Sequence, residues 1–386
     1  MKTGSLARRA AAACVAFLLA WLALGPAVAA DVDERLAALM DEHGAAGLAV
    51  VVVRDDEVVY QRSLGYRDLE AQAPLREGDL FRIASISKSF ATVSVLQLVE
   101  RGRLAMDDDV GQLLGFPVRN PAFPERPITL RMLLNHTSSI TDAQRYHSLD
   151  IINPATSESW AESYSEHAPG VHYEYSNLGY NMVGAIIERA SGQRFDRYVK
   201  EHVLDPLGLY GGHWPDALDA ERFARIYRYR EGEGFVRSDA AYAPLGDILE
   251  DYRLGYSAPV FSPTGGLKIS APGLARYMRM HMGFGELDGV RIVSADHAAL
   301  MQAPTVRIND ESAYGLGLRI EGGLIPGLTL TGHTGSAYGL YSSMFFDPER
   351  KYGFIVITNG VRDPRLRTEV NRALHGHFIG QVSSRN

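Results

Sequence analysis

A serine and a lysine placed three residues apart could supply a nucleophile and its base. Ser85 and Lys88 lie in the segment FRIASISKSF, residues 81–90, where the sequence predicts the start of a helix. Residues three apart on a helix share one face, so the Lys88 ammonium can lie beside the Ser85 hydroxyl. A serine is a weak nucleophile until a neighbouring base removes its proton, and a buried lysine can be neutral near pH 7 and act as that base. The same spacing on an exposed helix is an ordinary solvated pair, so the assignment depends on further residues.

Two more motifs carry side chains suited to the same chemistry. The first is YSN at residues 175–177, and the second is GHTGS at residues 332–336, directly after a predicted strand. A tyrosine titrates near 10, so Tyr175 can act as a base only where nearby cations lower its pKa. Taken without Ser85 and Lys88, Tyr175 is better interpreted as an ordinary core residue among neighbouring tyrosines. His136, in the segment LLNHTSS at residues 133–139, is interpreted as a structural histidine bonded to backbone.

The elements that would position these motifs come from both ends of the chain. Residues 87–101 show helical periodicity, while residues 106–254 read as helices and long loops punctuated by proline. The other predicted elements are a hairpin near the start and a C-terminal group: strands 48–53 and 57–60 with a turn at 54–56, strands 328–331, 341–346 and 352–358, and a helix at 365–378. We therefore predict an α/β (α+β) chain in which one antiparallel sheet, built from both termini, is flanked by helices and a mostly helical lobe is inserted.

Together and in this order, the three motifs resemble those of the serine β-lactamase and DD-peptidase superfamily. The branch that this chain resembles contains class C β-lactamases, D-alanyl-D-alanine carboxypeptidases, D-aminopeptidases and family VIII esterases. That branch has Ser-x-x-Lys, then Tyr-x-Asn, then Lys or His followed by Thr or Ser and by Gly. The segments LLNHTSS and PTGGL, residues 263–267, are similar to further motifs of that branch, with Ser139 where glycine is usual.

The resemblance covers about residues 31–378 and implies a β-lactamase/DD-peptidase-like fold. It also implies a single β-lactamase-related catalytic domain over residues 31–386. Its two lobes are expected at these positions: an α/β lobe at about 31–105 and 262–380, and a helical lobe at about 106–261.

The resemblance implies catalytic roles for three residues and a backbone oxyanion hole. Ser85 is expected to attack the substrate carbonyl and to become acylated. Lys88 and Tyr175 are expected to move the serine proton, and the sequence does not divide the role of base between them. The backbone N–H groups of Ser85 and Ser336 are expected to form the oxyanion hole, which stabilises the charge that develops on the substrate oxygen.

Four further residues are implied in substrate binding. Asn177 is expected to hydrogen-bond the acylamide of the substrate and to orient Lys88. His333, Thr334 and Gly335 are expected to line the strand that binds an extended substrate and its terminal carboxylate. Class C β-lactamases usually carry lysine where this chain has His333, and histidine is only partly charged at neutral pH. This departure weakens a β-lactamase interpretation, while the presence of Asn177 weakens an esterase interpretation.

The leading interpretation is an exported serine hydrolase that acts through an acyl-Ser85 intermediate and most resembles a D-alanyl-D-alanine carboxypeptidase of the penicillin-binding-protein type. The alternatives among enzymes are a family VIII-type carboxylesterase, a β-lactamase, or an enzyme that transfers the acyl group to an amine. A penicillin-acylated sensor or binding module is the alternative from another class. The expected substrate is a small molecule or peptide with an amide or ester bond, selected by loops within residues 146–160 and 214–252.

Composition argues against several other partners. The chain has 386 residues, with 39 Lys plus Arg and 46 Asp plus Glu, which gives a formal net charge of −7. No basic patch stands out, so nucleic acid is not an expected partner. No group of His, Asp or Glu has the spacing of metal ligands and no glycine-rich phosphate loop occurs, so we predict neither a metal nor another cofactor.

The first thirty residues have the pattern of a secretory signal peptide. Basic residues at 2, 8 and 9 precede an apolar run that ends in small residues, and we predict removal of residues 1–30. Removal would take the net charge from −7 to −10 and would remove Cys14, the single cysteine. The expected location is then periplasmic or secreted. The alternative is an uncleaved anchor formed by residues 10–30, the one case in which we expect contact with a membrane.

Overall fold

The computed structural model describes residues 30–380, and its largest element is a nine-stranded antiparallel sheet. The predicted signal peptide at residues 1–30 and the alternative anchor at residues 10–30 lie outside the described residues, apart from residue 30 itself. Within the described part of the chain, no helix combines the length and the apolar character needed to cross a lipid bilayer.

Sixteen strands and nine α-helices occur within residues 30–380. The strands are β1 Ala45–Arg54, β2 Glu57–Asp68, β3 Ala73–Pro74, β4 Phe81–Arg82, β5 Gly211–Gly212, β6 Tyr227–Arg230, β7 Gly234–Arg237, β8 Lys268–Ile269, β9 Glu286–Leu287, β10 Val290–Arg291, β11 Val306–Arg307, β12 Ser312–Tyr314, β13 Arg319–Glu321, β14 Leu330–Ala337, β15 Leu340–Asp347 and β16 Tyr352–Val361. The α-helices are α1 at residues 30–43, α2 Ser87–Glu100, α3 Val110–Leu114, α4 Leu130–Leu134, α5 Asn177–Ser191, α6 Phe195–Val199, α7 Ala271–Met282, α8 Ala295–Gln302 and α9 Leu366–Phe378.

The large sheet joins strands from both ends of the chain. Its order is β11-β12-β13-β14-β15-β16-β1-β2-β3, so β16 from the C-terminal part lies beside β1. The predicted hairpin of β1 and β2 is present and turns at Asp55 and Asp56, whose φ angles are 53° and 62°. Two successive residues with positive φ form the turn type that matches the right-handed twist of the strands. The hairpin and the sheet built from both termini therefore confirm the prediction.

Both faces of β1 are buried, which explains its unbroken valine run. Side chains alternate across a strand, so Val50 and Val52 pack with α1 and α9 on one face. Val51 and Val53 point to the other face and join the large core that also contains α7 and α2. A strand that is covered on both faces reads as continuously apolar rather than alternating.

The helix α2 lies in the interior of the molecule. Every residue from Ser87 to Leu98 is buried, and the helix packs against α5 and α6. A helix that is buried on all sides belongs to the core of a large domain. The mixed architecture with an antiparallel sheet confirms the predicted fold class. One core connects the sheet with the helical region, and the predicted limits of the two lobes stay a prediction.

The strands near the second half of the sheet differ from the prediction. The strand predicted at 328–331 begins at Leu330 and continues to Ala337, so it includes the GHTGS motif. Its glycines and polar residues break the alternating apolar pattern by which a strand is recognised. The short strands β11, β12 and β13 were not predicted, because two or three residues are too few to show a period.

Candidate active site

Ser85 lies on a single turn of 3-10 helix, Ala84–Ile86, immediately before α2. Ala84 has a φ of 50°, a conformation that costs energy for a residue with a side chain and that bends the chain sharply before Ser85. The Ser87 hydroxyl holds the bend, because it donates to the Ala84 carbonyl at 2.7 Å and accepts from the Leu267 N–H at 3.1 Å. As a result Ser85 is partly exposed while its neighbours on both sides are buried.

Lys88 is fully buried one turn further along the helix. Its Nζ lies 3.3 Å from the Ser85 Oγ and donates to Asn177 Oδ1 at 2.9 Å and to the Thr264 carbonyl at 3.0 Å. All three partners are neutral. Burial lowers the pKa of Lys88 well below its usual value, and the charge of Asp142 opposes that shift. The predicted pair of Ser85 and Lys88 is thus in hydrogen-bond contact, in surroundings that favour a neutral amine.

Tyr175 lies next to this pair. The Lys88 Nζ is 4.7 Å from the centre of the Tyr175 ring. Burial raises the pKa of Tyr175 above its usual value, and a hydrogen bond with the Ser85 side chain acts in the opposite direction. The structure therefore brings Ser85, Lys88 and Tyr175 together, with the tyrosine in its neutral phenol form.

Asn177 is held by a carboxylate that no sequence motif indicated. Asp142 accepts from the backbone N–H of Asn177 at 2.9 Å, from its side-chain Nδ2 at 2.7 Å and from the Leu178 N–H at 2.9 Å. Asp142 thereby caps the N-terminus of α5 and fixes the side-chain amide, whose Oδ1 faces Lys88 and also accepts from Thr264 Oγ1 at 2.6 Å. Within the described residues Asp142 is the one acceptor found for the amide nitrogen, so its second N–H is available to a substrate, as its predicted role requires.

The strand β14 passes directly over the Ser85 turn, and Gly335 makes this approach possible. A Cβ atom at Gly335 would lie 2.3 Å from the Ile83 carbonyl oxygen and 2.3 Å from Ser342 Oγ. Next to it Ser336 is exposed and lines the same cavity as Ser85. The structure thus brings the two predicted oxyanion-hole residues to one cavity. Thr334 is partly buried and does not line that cavity.

His333 lies beneath the site and not in the cavity wall. Its side chain is on the same face of β14 as Gly335, because residues two apart in a strand share a face. The ring bonds the Tyr314 hydroxyl through Nε2 at 2.9 Å and the Thr334 carbonyl through Nδ1 at 2.6 Å. Burial lowers the pKa of His333 to about 3. The structure therefore does not bring His333 to the position of a partly charged carboxylate ligand.

His136 forms the expected hydrogen bond to backbone, since its Nδ1 accepts from the Ser176 N–H at 3.1 Å. Its ring also contacts Tyr175, with 4.3 Å between ring centres, and Tyr314, with 4.8 Å between ring centres. His136 is thus a packing residue that supports the predicted catalytic tyrosine from below.

A cavity of about 480 Å³ opens in front of Ser85, within the usual range for small-molecule sites. Ser85, Asn177, Thr264 and Ser336 line it on the side of the catalytic pair. The two loops that were expected to select the substrate also contribute lining residues: Tyr146 and His147 from the first, and Pro215, Arg228, Ala240, Ala241, Ala243 and Leu245 from the second. In the described residues, three possible metal ligands come together at Glu42, His43 and Glu369, which do not line this cavity.

Comparison with known proteins agrees with this arrangement. A family model described as Beta-lactamase matches residues 32–377. Penicillin-binding protein 4 of Amycolatopsis lactamdurans is 29% identical over 363 residues, which cover 90% of each chain. Esterase EstB of Burkholderia gladioli is 32% identical over 268 residues, which cover 64% of this chain and 65% of the esterase.

A solved structure, the octameric penicillin-binding protein homologue from Pyrococcus abyssi, superposes with a TM-score of 0.72 and 26% sequence identity, over 90% of this chain and 77% of that one. The family match spans most of the chain and confirms the predicted family and fold. The chain belongs to the beta-lactamase family and is a serine hydrolase.

Proposed function

We propose that the chain is a peptidase of the penicillin-binding-protein type, most similar to a D-alanyl-D-alanine carboxypeptidase, that works through an acyl-Ser85 intermediate. The observation that carries the proposal is the contact of 3.3 Å between Lys88 Nζ and Ser85 Oγ, in front of a cavity of about 480 Å³. A nucleophile and a base within hydrogen-bond reach, open to a pocket, are the arrangement that acyl transfer needs.

The proton path follows from the two shifted pKa values. Burial favours the neutral amine of Lys88 and the neutral phenol of Tyr175. A neutral amine can accept a proton, whereas a neutral phenol can only donate one. Lys88 therefore takes the proton of Ser85 as Oγ attacks the carbonyl carbon. The new ammonium beside the Tyr175 ring lowers the pKa of the phenol, which passes a proton to the leaving group and is reprotonated from Lys88.

The backbone N–H groups of Ser85 and Ser336 would bind the oxygen of the tetrahedral intermediate. Removal of one such donor usually costs about 2.7–4 kcal/mol of transition-state stabilisation. When the leaving group departs, the acyl group stays on Ser85 Oγ. A water molecule then attacks the ester carbonyl and gives one proton to Lys88. As the bond between the acyl carbon and Ser85 Oγ breaks, Lys88 returns this proton to Oγ, which releases the acid and restores the serine hydroxyl.

An esterase is the second candidate, because the similarity to esterase EstB is as strong per residue as the similarity to penicillin-binding protein 4. One assay separates the candidates. The purified protein is tested on a D-alanyl-D-alanine peptide, a D-amino-acid amide, a p-nitrophenyl ester and a chromogenic cephalosporin, with Ser85→Ala as the control. The peptide is expected to give the highest kcat/KM; turnover of the ester alone would favour the esterase.

The same proteins are treated with a fluorescent penicillin and with a fluorophosphonate. Wild type is expected to be labelled and Ser85→Ala is not. Labelling without turnover of any substrate would point to the acylated binding module. Equal labelling of both proteins would show that Ser85 is not the nucleophile and would overturn the proposal.

The exported location is also part of the proposal and depends on residues 1–30. N-terminal sequencing of the protein recovered from its producing cells is the test. A first residue near Asp31 supports export with cleavage, and an intact start in the membrane fraction supports the anchor.

A further inference from the structure

Among residues 30–380, those that line the cavity in front of Ser85 include basic residues and no acidic ones. Arg82, Arg228 and Lys268 belong to its wall, and neither Asp nor Glu occurs among the lining residues. The chain as a whole has more acidic than basic residues, 46 against 39, so a wall without carboxylates does not follow from composition. A cleft lined by one sign of charge attracts molecules of the opposite sign.

Two of these cations lie side by side at the floor of the cavity. Arg82 in β4 and Lys268 in β8 are direct partners in an antiparallel pair. Side chains of such partners share a face and start about 4.5–5.5 Å apart, and like charges in this position destabilise the pair. The repulsion is relieved when an anion binds between the two groups.

Lys268 is almost fully buried, with 3% of its surface exposed. Its Nζ donates to the His213 carbonyl at 2.9 Å. An ammonium has three N–H donors, and within the described residues this carbonyl is the one hydrogen-bond acceptor found for it. Two donors therefore remain for a ligand in the cavity.

Arg82 is held in place by neutral acceptors and not by a carboxylate. Its Nε donates to the Gly265 carbonyl at 2.9 Å, and its Nη2 donates to Ser262 Oγ at 3.2 Å. Its guanidinium also lies 5.1 Å from the centre of the Tyr338 ring. These contacts orient the group without neutralising its charge.

The surroundings disfavour charge on Lys268 as long as the cavity holds no anion. Burial lowers the pKa of Lys268 well below its usual value, the Arg82 charge adds to the shift, and Asp216 opposes it. Asp216 itself is engaged with the Trp214 indole N–H at 2.9 Å and the Leu245 N–H at 2.9 Å. A buried charge without a partner is costly, and a ligand anion would supply the missing partner.

We propose that Arg82 and Lys268 form an anion subsite that holds a carboxylate of the substrate while Ser85 attacks the neighbouring carbonyl. The inference rests on the proposed acyl-Ser85 chemistry, because the subsite and Ser85 share one cavity. It assigns carboxylate recognition to the β4–β8 side of the cavity and not to His333.

The test uses two pairs of esters that differ in one charge. In the first pair the charge is in the acyl part: p-nitrophenyl hemisuccinate against p-nitrophenyl succinamate. In the second it is in the leaving group: 4-acetoxybenzoate against 4-acetoxybenzamide. The proteins are wild type, Lys268→Met, Lys268→Arg and the control Lys351→Met, which removes the same charge from an exposed residue outside the cavity.

Wild type is expected to prefer the anionic member of at least one pair by about tenfold or more in kcat/KM, the usual effect of a charge-assisted hydrogen bond. Lys268→Met should bring that preference close to one, while Lys268→Arg and the control Lys351→Met keep it. The pair that responds shows which side of the scissile bond faces the subsite.

Absence of a preference in wild type overturns the inference, whatever the stability of the variants. An equal loss on both members of a pair in a folded Lys268→Met also overturns it, since the lysine then serves structure alone. The proposed acyl-Ser85 chemistry is tested separately by Ser85→Ala. If this variant loses all ester turnover, the chemistry stands even where the anion subsite is overturned.

Discussion

Asp142 offers the most direct test of how the proposed base is controlled. Its carboxylate caps α5, holds the amide of Asn177 and raises the pKa of Lys88 against the effect of burial. In Asp142→Asn the charge is lost, so the pKa of Lys88 should fall further. Turnover requires neutral Lys88 and therefore increases as the pH rises through that pKa. The acid limb of the kcat/KM profile should consequently move to lower pH.

The size of the effect on rate follows from the hydrogen bonds that are lost. Of the three N–H groups that donate to Asp142, the Asn177 side chain is the one that also positions Lys88. A hydrogen bond to a charged group is worth about 1.5–3 kcal/mol, so kcat/KM on the plateau should fall by about 10- to 150-fold. The assay is ester or peptide hydrolysis from pH 5 to 9, with unfolding followed in the same buffers.

Ser176→Ala is the matched control for Asp142→Asn. The Ser176 hydroxyl accepts from the Gly179 N–H at 3.0 Å, at the same helix end. Its loss should cost about 1 kcal/mol of stability, as loss of a helix cap does, without displacement of the acid limb. An acid limb that stays in place or moves to higher pH in Asp142→Asn would refute the assignment of Lys88 as the titrating base.

Three further predictions concern the proton path, the strand over the serine and the buried histidine His281. Lys88→Ala and Tyr175→Phe should each lower kcat by about 10²-fold or more, and the double variant should cost much less than the product, because residues that act as one unit are not additive; multiplicative losses would show independent roles. Gly335→Ala should lower kcat/KM by about 10²-fold, since its Cβ would lie 2.3 Å from the Ile83 carbonyl and displace β14; wild-type turnover in a folded variant would contradict this. Burial lowers the pKa of His281 to about 3, so the unfolded chain binds a proton that the folded one does not as the pH falls below about 6.5. Between pH 7 and pH 5 this histidine should therefore lower the free energy of unfolding by about 2 kcal/mol. Urea titrations should show that the free energy of unfolding of His281→Leu falls by about 2 kcal/mol less than that of wild type over the same pH range; an unchanged pH dependence in the variant would refute the prediction.

Local patterns were sufficient for the elements that hold the nucleophile. The apolar run of β1, the turn at Asp55-Asp56 and the periodicity of α2 each depend on neighbouring residues, and the structure contains all three. The spacing of Ser85 and Lys88 likewise fixes their contact, because both belong to one stretch of helix. Such features can be predicted because the interacting residues are close in the sequence.

The features that were missed depend on contacts between distant segments. Asp142 meets Asn177 from 35 residues away, and Thr264 meets Lys88 from 176 residues away. Asp142 belongs to no recognised motif, and the PTGGL motif that contains Thr264 does not indicate a contact with Lys88. His333 was expected to contact the substrate because the sequence reveals its motif. The sequence does not reveal on which face of the strand its side chain lies. The two faces of β14 could be assigned only once it was known that Gly335 packs against Ile83 and Ser342.

The position of β16 between β15 and β1 also determines the order in which the protein can fold. Val51 pairs with Ile355, about 300 residues later in the chain. Until β16 has been synthesised, the β1–β2 hairpin presents an unpaired edge of valines, the kind of edge that recruits other strands. Pairing over such a separation is slow because the chain must close a long loop first. The strand that covers Ser85 is bound to β15, which in turn is bound to β16. A growing chain is therefore exposed to aggregation during most of its synthesis, and it acquires a complete site only with its last strands.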